Sequence, residues 1–274
     1  MRPLGIAVVI DEHLEETLTW AARAGFTNCQ LQLWDMGCLT EEHARQTRDT
    51  ACRCGMEVTG LWCGWHGPIK WDFAEGPSIL GIVPPQYRAS RTQNLLDGSA
   101  YARVLGVDAV ITHLGFVPTD CRSGDYAGVV STLRYITAVL RERGQTFLME
   151  TGQEPPIVLK RLIDDVGAEN LFVNYDPANL MMYGNANPVD GLDILGRYVE
   201  SVHAKDGSYP VNGYELGREY PIGKGKVDFA GLFGKLRALG YDGPISIEYE
   251  IEAGNAQQRQ EILEGKAYLE RLLA

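Results

Sequence analysis

Four side chains that can bind a metal ion or carry a proton close four successive apolar runs of the chain. The runs read FLMETG, LFVNYD, VESVHA and ISIEYE, and the side chains are Glu150, Asp176, His203 and Glu248. Each of them alone could instead cap a helix or form an ion pair. Three carboxylates with one imidazole make an oxygen-rich set that suits Mn²⁺, with Co²⁺, Mg²⁺ and Zn²⁺ as alternatives. The four together predict one shared site for a divalent metal ion.

The spacing of these residues fits a repeated strand–helix unit. The intervals are 26, 27 and 45 residues, so the first two approximate one unit and the third an enlarged unit. Short apolar runs recur after helix-terminating glycines, as strands buried on both faces do. Eight strands are predicted within 4–10, 24–34, 54–62, 105–115, 143–152, 166–176, 196–203 and 239–250. Amphipathic helices are predicted at 14–25, 40–55, 126–144, 155–167, 229–240 and 256–273.

Alternating strands and helices favour parallel strand pairing, and eight units in about 250 residues is the size of a (β/α)8 barrel. We therefore predict an α/β fold, with a single (β/α)8 TIM barrel domain over residues 1–274. An open doubly wound sheet is the alternative. It would favour a glycine-rich turn after the first strand, but residues 8–13 read VVIDEH. Because the carboxyl ends of barrel strands converge on one face, the four ligands are expected to meet there.

The motifs at these strand ends resemble those of a known family. METGQE, NYDPANL, SVHAKD, IGKGKVDF and ISIEYE are similar to segments of the xylose isomerase-like barrel superfamily. Within it they resemble the sugar phosphate isomerase/epimerase group, which includes the ketose 3-epimerases. The resemblance implies one divalent ion held by Glu150, Asp176, His203 and Glu248, with Glu150 and Glu248 also transferring the proton. It favours Glu248 as the fourth ligand over Glu250, which lies two residues further on the same side of the strand.

An enzyme of this group moves a proton on a carbon beside a carbonyl. That proton is too weakly acidic for a carboxylate alone, and a divalent ion bridging substrate oxygens would stabilise the developing enediolate. Two carboxylates on opposite faces of the carbon would invert it, whereas transfer between neighbouring carbons would interconvert an aldose and a ketose. The sequence leaves both reactions open. Epimerisation or dehydration of keto-glycosides and inosose-type polyols on the same metal site is a further alternative.

Six further residues are candidates for binding the substrate: His66, His113, Trp34, Trp62, Lys205 and Asp206. His66 and His113 follow strands and match positions that bind substrate oxygens in the superfamily, although either could instead bond to a loop carbonyl. The two tryptophans could cover the apolar face of a sugar or plug the barrel. Lys205 and Asp206 could contact the substrate or form an internal ion pair.

Composition and charge exclude other classes of protein. Lysine and arginine number 25 against 36 acidic residues, so the net charge of −11 repels a phosphate backbone and no nucleic-acid partner is expected. No apolar run approaches the ~18 residues of a spanning helix, so no membrane partner is expected. The N-terminal segment lacks a signal-peptide cleavage site and the six cysteines form no C-x-x-C pair, which favours a cytoplasmic location. The expected partner is a small-molecule sugar. The resemblance also implies a homo-oligomer, a dimer or a tetramer.

Two other function classes remain as alternatives. The superfamily includes apurinic-site endonucleases with three zinc ions, but Asn179 stands where they carry a histidine, and GREYP before IGKGK lacks an Asp-x-His pair. A non-catalytic sugar-binding barrel is the other alternative, and it would not require all four ligands. Arg218, Lys224 and Lys226 could hold a substrate phosphate. Since no glycine-rich turn follows the last strand, we favour an unphosphorylated sugar or glycoside.

Overall fold

Eight parallel strands close into a barrel in the computed structural model, which describes residues 3–251 and 256–274. The strands are neighbours in chain order, and the last pairs with the first through Gly5 with Ser246 and Ile6 with Ile247. The barrel strands are β1 (Gly5–Val9), β2 (Asn28–Leu33), β3 (Glu57–Cys63), β4 (Ala109–Thr112), β5 (Thr146–Glu150), β6 (Leu171–Tyr175), β7 (Val199–Ala204) and β10 (Ile245–Ile247), with a separate antiparallel pair of β8 (Asp206–Gly207) and β9 (Glu219–Tyr220). The predicted (β/α)8 barrel is confirmed.

Helices follow the strands and surround the barrel. They are α1 (Leu14–Arg23), α2 (Glu41–Arg53), α3 (Gly76–Ile79), α4 (Pro85–Leu105), α5 (Gly124–Glu142), α6 (Pro156–Val166), α7 (Pro177–Met182), α8 (Pro188–Leu195), α9 (Phe229–Ala238) and α10 (Ala256–Leu273). Over residues 3–251 and 256–274, none of these helices has the length and apolar character needed to cross a membrane.

Helix ends follow the local chemistry of the sequence. The hydroxyl of Thr40 accepts the backbone N–H of His43 at 3.2 Å and begins α2, and the carboxylate of Asp228 accepts that of Gly231 at 2.9 Å before α9. Gly106 ends α4 with a φ of 86°, a left-handed conformation that only glycine adopts without a Cβ penalty. These ends fix where each connecting loop leaves the barrel.

Strand β2 illustrates how the sequence divides the two faces of the sheet. All six of its residues, NCQLQL, are buried. Cys29, Leu31 and Leu33 belong to the apolar core that the strands share with the surrounding helices. Because side chains alternate along a strand, Gln30 and Gln32 point into the barrel instead. The barrel interior is therefore polar on this side.

Helix α4 lies where the hydrophobic pattern predicts no helix. Its buried side includes Arg91, Asn94 and Ser99, and these polar residues interrupt the apolar repeat. The segment 64–84, which joins β3 to α4 and contains α3, crosses the face where the strands end. A second long segment, 208–218, joins β8 to β9 on the same face. These two segments flank the site described next.

Candidate metal centre and active site

The barrel brings the four strand-end ligands to one point, as the sequence predicts. Glu150 is the last residue of β5, Asp176 directly follows β6, His203 lies in β7, and Glu248 directly follows β10. All four side chains are buried, and one potential ligand atom from each lies within 4.8 Å of the others. They come from four neighbouring strands that are far apart in sequence. Closure of the barrel is what makes them one cluster.

His203 stands at the centre of this cluster. Its Nδ1 lies 3.2 Å from Oε1 of Glu150, 3.2 Å from Oε2 of Glu248 and 4.0 Å from Oδ2 of Asp176. Burial lowers the pKa of His203, but the charges of Glu248 and Glu150 outweigh burial and raise this pKa well above its usual value. An ion bound here would therefore displace a proton from Nδ1.

The opposite nitrogen of the ring is held by Gln30. Nε2 of His203 lies 2.6 Å from Oε1 of Gln30, so Nε2–H donates to the amide oxygen. The amide nitrogen of Gln30 in turn donates to Oγ of Ser201 at 3.3 Å. This contact aims Nδ1 at the three carboxylates, as expected for a metal-binding histidine whose other nitrogen has a fixed partner.

Two atoms of the cluster fit the presence of an ion. Oδ2 of Asp176 and Nδ1 of His203 are both buried without a well-oriented hydrogen-bond partner in the part of the chain that the structure describes. Burial raises the pKa of Asp176 well above its usual range. The charge of Lys205 opposes this shift, whereas the charges of Glu248 and Glu150 add to it. A divalent cation would supply the missing partner and remove the cost of gathering these charges. The donor set therefore fits a divalent ion, as predicted.

Glu150 is surrounded by hydrogen-bond donors. Trp62 donates its indole N–H to Oε2, Asn179 donates its amide N–H to Oε1 at 3.2 Å, and Nε2 of His113 lies 3.5 Å from Oε1. Burial raises the pKa of Glu150, but the neighbouring His113 and His203 outweigh burial, so the pKa lies below its usual value. Glu150 is therefore an ionised carboxylate held in one orientation.

Glu248 is held by a different pair of donors. Nε2 of Gln32 donates to Oε1 at 2.5 Å, and Nζ of Lys205 lies 3.1 Å from Oε2. Burial opposes its charge, but His203 and Lys205 lower the pKa of Glu248 well below its usual value. Lys205 also pairs with Glu250. The second carboxylate is thus also ionised, and it shares His203 with the first.

A cavity of about 130 Å³ opens above the cluster and is lined by both carboxylates. Other lining residues are Trp34, Trp62, Trp71, His113, Tyr183 and Lys205. The ring centroids of Trp34 and Trp62 are 4.6 Å apart, and His113 is only 6% exposed. Flat aromatic walls beside charged groups suit a sugar, which has apolar faces and polar edges.

Two of the predicted substrate-binding residues lie elsewhere. Among the described residues that line the cavity, neither His66 nor Asp206 is present. The side chain of His66 is exposed. The carboxylate of Asp206 is buried and accepts four backbone N–H groups, from Gly207, Gly223, Gly225 and Val227, at 2.8–3.1 Å. Asp206 thus uses both oxygens to hold the segment IGKGKV.

Three further residues at the site, Gln30, Gln32 and Trp71, are not predicted from the sequence. The signal for the glutamines is present in β2, where NCQLQL places two polar side chains at alternate positions of a buried strand. Trp71 lies in the irregular segment 64–84, where no periodic pattern indicates which way a side chain points. In sequence, Asn179 stands out only as a departure from a zinc-binding pattern, whereas the structure places it against Glu150.

Comparison with known proteins identifies the family. The family model of xylose isomerase-like TIM barrels matches residues 18–272, so the chain belongs to that family. A xylose isomerase domain protein from Planctomyces limnophilus superimposes with a TM-score of 0.92 at 33% identity, over 98% of this chain and 96% of that one. D-psicose 3-epimerase from Clostridium cellulolyticum superimposes with a TM-score of 0.73 at 14% identity, over 99% of both chains. At this low identity, the similarity to the epimerase shows a shared fold only.

Relatives that are similar in sequence include two proteins aligned over more than half of the chain. An uncharacterized protein from Methanocaldococcus jannaschii is 30% identical over 178 residues, which cover 61% of this chain and 58% of that protein's length. A 2-oxo-tetronate isomerase from Cupriavidus necator is 26% identical over 214 residues, which cover 74% of this chain and 78% of that enzyme. Sugar isomerases and epimerases are thus among the proteins that this chain resembles.

Proposed function

We propose that the chain is a divalent-metal-dependent sugar isomerase or epimerase. It would remove and return a proton beside the carbonyl of a ketose or keto-sugar. The observation that carries the proposal is a pair of buried carboxylates at the cavity, Glu150 and Glu248, each 3.2 Å from Nδ1 of His203. Membership of the family and similarity to an isomerase support the reaction class.

The ion would be held by Glu150, Asp176, His203 and Glu248. When bound, it would withdraw electrons from substrate oxygens and stabilise the negative charge that develops as a neighbouring C–H loses its proton. Of the candidate ions, Mn²⁺ suits the three carboxylates and one imidazole best.

The two carboxylates supply a proton acceptor and a proton donor. Trp62 and Asn179 orient Glu150, whereas Gln32 and Lys205 orient Glu248, so neither depends on the other for its position. Removal of a proton by one carboxylate and delivery by the other would invert the carbon. Return by the same carboxylate to the neighbouring carbon would move the carbonyl instead.

The cavity favours an unphosphorylated substrate. Of the described residues that line it, Lys205 is the single cation, and it is already paired with Glu248 and Glu250. The candidate phosphate ligands Arg218, Lys224 and Lys226 are not among these lining residues. A phosphate would therefore meet carboxylates without a free positive charge, which is unfavourable. We propose a neutral ketose or a keto-glycoside.

The test combines metal content with hydrogen exchange. We expect about one divalent ion per chain by elemental mass spectrometry, lost in a Glu150→Gln/His203→Ala double variant. The wild-type protein in D₂O should introduce deuterium beside the carbonyl of one member of a panel of ketoses and keto-glycosides. Loss of water from an inosose in the same screen would indicate dehydration by the same site.

Two variants test whether metal binding and exchange depend on the clustered residues or on any glutamate of the protein. Glu200→Gln changes an exposed glutamate on the outer side of the same strand as His203, and it should keep both metal and exchange. Glu150→Gln should abolish exchange while the circular dichroism spectrum and melting temperature remain close to wild type. No ion after incubation with excess Mn²⁺ or Zn²⁺, or full exchange by Glu150→Gln, would refute the proposal.

A further inference from the structure

The segment 64–84 forms one wall of the cavity. Its Trp71 lines the cavity and is 38% exposed. The Trp71 ring lies 5.2 Å from the ring of His113 and 6.2 Å from that of Trp65, measured between centroids. The position of this segment therefore determines how much room a substrate has beside His113.

Arg91 of α4 is fully buried beneath this segment. No carboxylate of the described residues lies within ion-pairing distance of it. Its guanidinium instead donates to main-chain carbonyls at both ends of the segment. At the beginning these are His66 at 3.3 Å and Pro68 at 3.2 Å, and at the end they are Ile79 and Gly81, the latter at 2.7 Å. One side chain thus ties the two ends of the segment together.

Aromatic rings stabilise the charge of this guanidinium. Its central carbon lies 4.4 Å from the ring centroid of Tyr87 and 5.2 Å from that of Trp65. A planar cation with five N–H donors can bond to four carbonyls and stack on a ring at the same time. A lysine has three donors and cannot stack in this way, so it would not reproduce these contacts.

Two neighbours of Arg91 bind the same segment. Nε of Arg88 donates to the carbonyl of Ile82 at 2.9 Å, and Oδ1 of Asn94 accepts the N–H of His66 at 3.0 Å. Residues 88, 91 and 94 are spaced three apart, so they share one face of α4. This face is polar and buried because it binds loop backbone.

We propose that Arg91 is a positioning residue that fixes Trp71 at the cavity wall and so determines how tightly the sugar is held. It acts through the backbone of 64–84 and touches neither the four ligands nor the substrate. The kinetic part of this inference rests on the proposed function. The structural part does not, and the two are tested separately.

The structural test is amide hydrogen exchange followed by mass spectrometry. In Arg91→Ala the amides of 64–84 should exchange faster by about tenfold or more, the factor for losing one charged hydrogen bond. Millimolar guanidinium should restore part of the protection by occupying the vacated site. Arg91→Lys keeps the charge and should still exchange faster than wild type, so it replaces Arg91→Ala if the latter does not fold.

Arg161 provides a matched control. It donates to the carbonyls of Thr119 and Pro118 at 3.0 and 3.1 Å, and its guanidinium lies 4.7 Å from the ring of Tyr126. It thus binds loop backbone and an aromatic ring as Arg91 does, but in a different loop. Arg161→Ala should leave the exchange of 64–84 unchanged.

The kinetic test uses the substrate found by the deuterium screen. Arg91→Ala should raise KM by about tenfold, the effect of one lost apolar contact, with a smaller change in kcat. Trp71→Ala should do the same, and the double variant should be no worse than either single variant, because both remove the same wall. Additive effects on KM would show that Arg91 does not act through Trp71.

The two tests give distinguishable outcomes. Unchanged exchange of 64–84 in a folded Arg91→Ala or Arg91→Lys would overturn the positioning role, whatever the enzyme does. Faster exchange without turnover of any sugar by the wild-type protein would refute the proposed function. In that case Arg91 would still be shown to position Trp71, but the inference that it affects substrate binding would be refuted.

Discussion

Replacement of Gln30 by methionine tests whether the metal centre depends on the orientation of its histidine. Oε1 of Gln30 accepts the Nε2–H of His203 at 2.6 Å inside the barrel. Methionine has nearly the same length and fills the same space, but its thioether is a weak acceptor. In Gln30→Met the imidazole therefore loses the contact that aims Nδ1 at the carboxylates, while packing changes little.

The size of the effect follows from two independent estimates. A buried N–H left without an acceptor costs about 1–3 kcal/mol. Loss of the partner that orients a metal-binding histidine lowers metal affinity by about 10–100-fold, which corresponds to about 1.4–2.8 kcal/mol. We therefore expect the Kd for Mn²⁺ to rise by about 10–100-fold in Gln30→Met.

Isothermal titration with Mn²⁺ measures this change directly. Gln145→Met is the control, because Gln145 is also a buried glutamine and donates to the carbonyls of Ser99 and Val107, at the amino end of β5. It should lower the melting temperature but leave the Kd unchanged. A folded Gln30→Met protein with wild-type affinity for Mn²⁺ would refute the idea that Gln30 orients the ligand.

Two predictions concern buried carboxyl groups outside the metal cluster. Burial raises the pKa of Glu154 to about 8, against a smaller lowering by the backbone N–H of Val117. The folded state therefore keeps its proton while the unfolded state ionises above the usual 4.5. The free energy of unfolding should fall by up to about 1.4 kcal/mol per pH unit between these values. The melting temperature of Glu154→Gln should therefore rise relative to that of the wild type between pH 5 and pH 8. If the difference between the two melting temperatures, measured with a chelator present, did not change with pH, the raised pKa would be contradicted. Asp206→Asn leaves two of four backbone N–H groups facing an amide NH₂, so it should lose about 2–6 kcal/mol in urea unfolding. Asp228→Asn is the control: asparagine caps a helix about as well as aspartate, so this variant should lose little stability, and equal losses in the two variants would refute the account of Asp206.

The clustering of the four candidate metal ligands could be predicted from the sequence because of a simple geometric rule. A side chain that ends a parallel barrel strand must point at the centre of one face. An apolar run precedes each of the four side chains, Glu150, Asp176, His203 and Glu248. Recognising these runs as strands is therefore enough to predict that the four side chains cluster. The rule needs no knowledge of loop conformation.

The residues that orient those ligands could not be predicted in the same way. Gln30 interacts with His203 across the barrel interior, and strand periodicity alone does not show which inward residues meet. Helix α4 is not predicted from the sequence, because Arg91 and Asn94 occupy positions where an amphipathic pattern requires apolar residues. Both failures have one physical cause, since polar groups buried for tertiary contacts do not follow the periodicity of an apolar core.

The contacts of Asp206 have a consequence for redesign of the protein. Its carboxylate gathers the amides of 223–227, and β8 pairs with β9, so both ends of the excursion 208–218 are fixed to the barrel. A Cβ at Gly225 would lie 2.2 Å from this carboxylate, which leaves no room for another residue there. The excursion between these fixed points carries Leu216 to the cavity. We therefore expect that the length and composition of 208–218 can be changed without moving the four clustered side chains at the other strand ends.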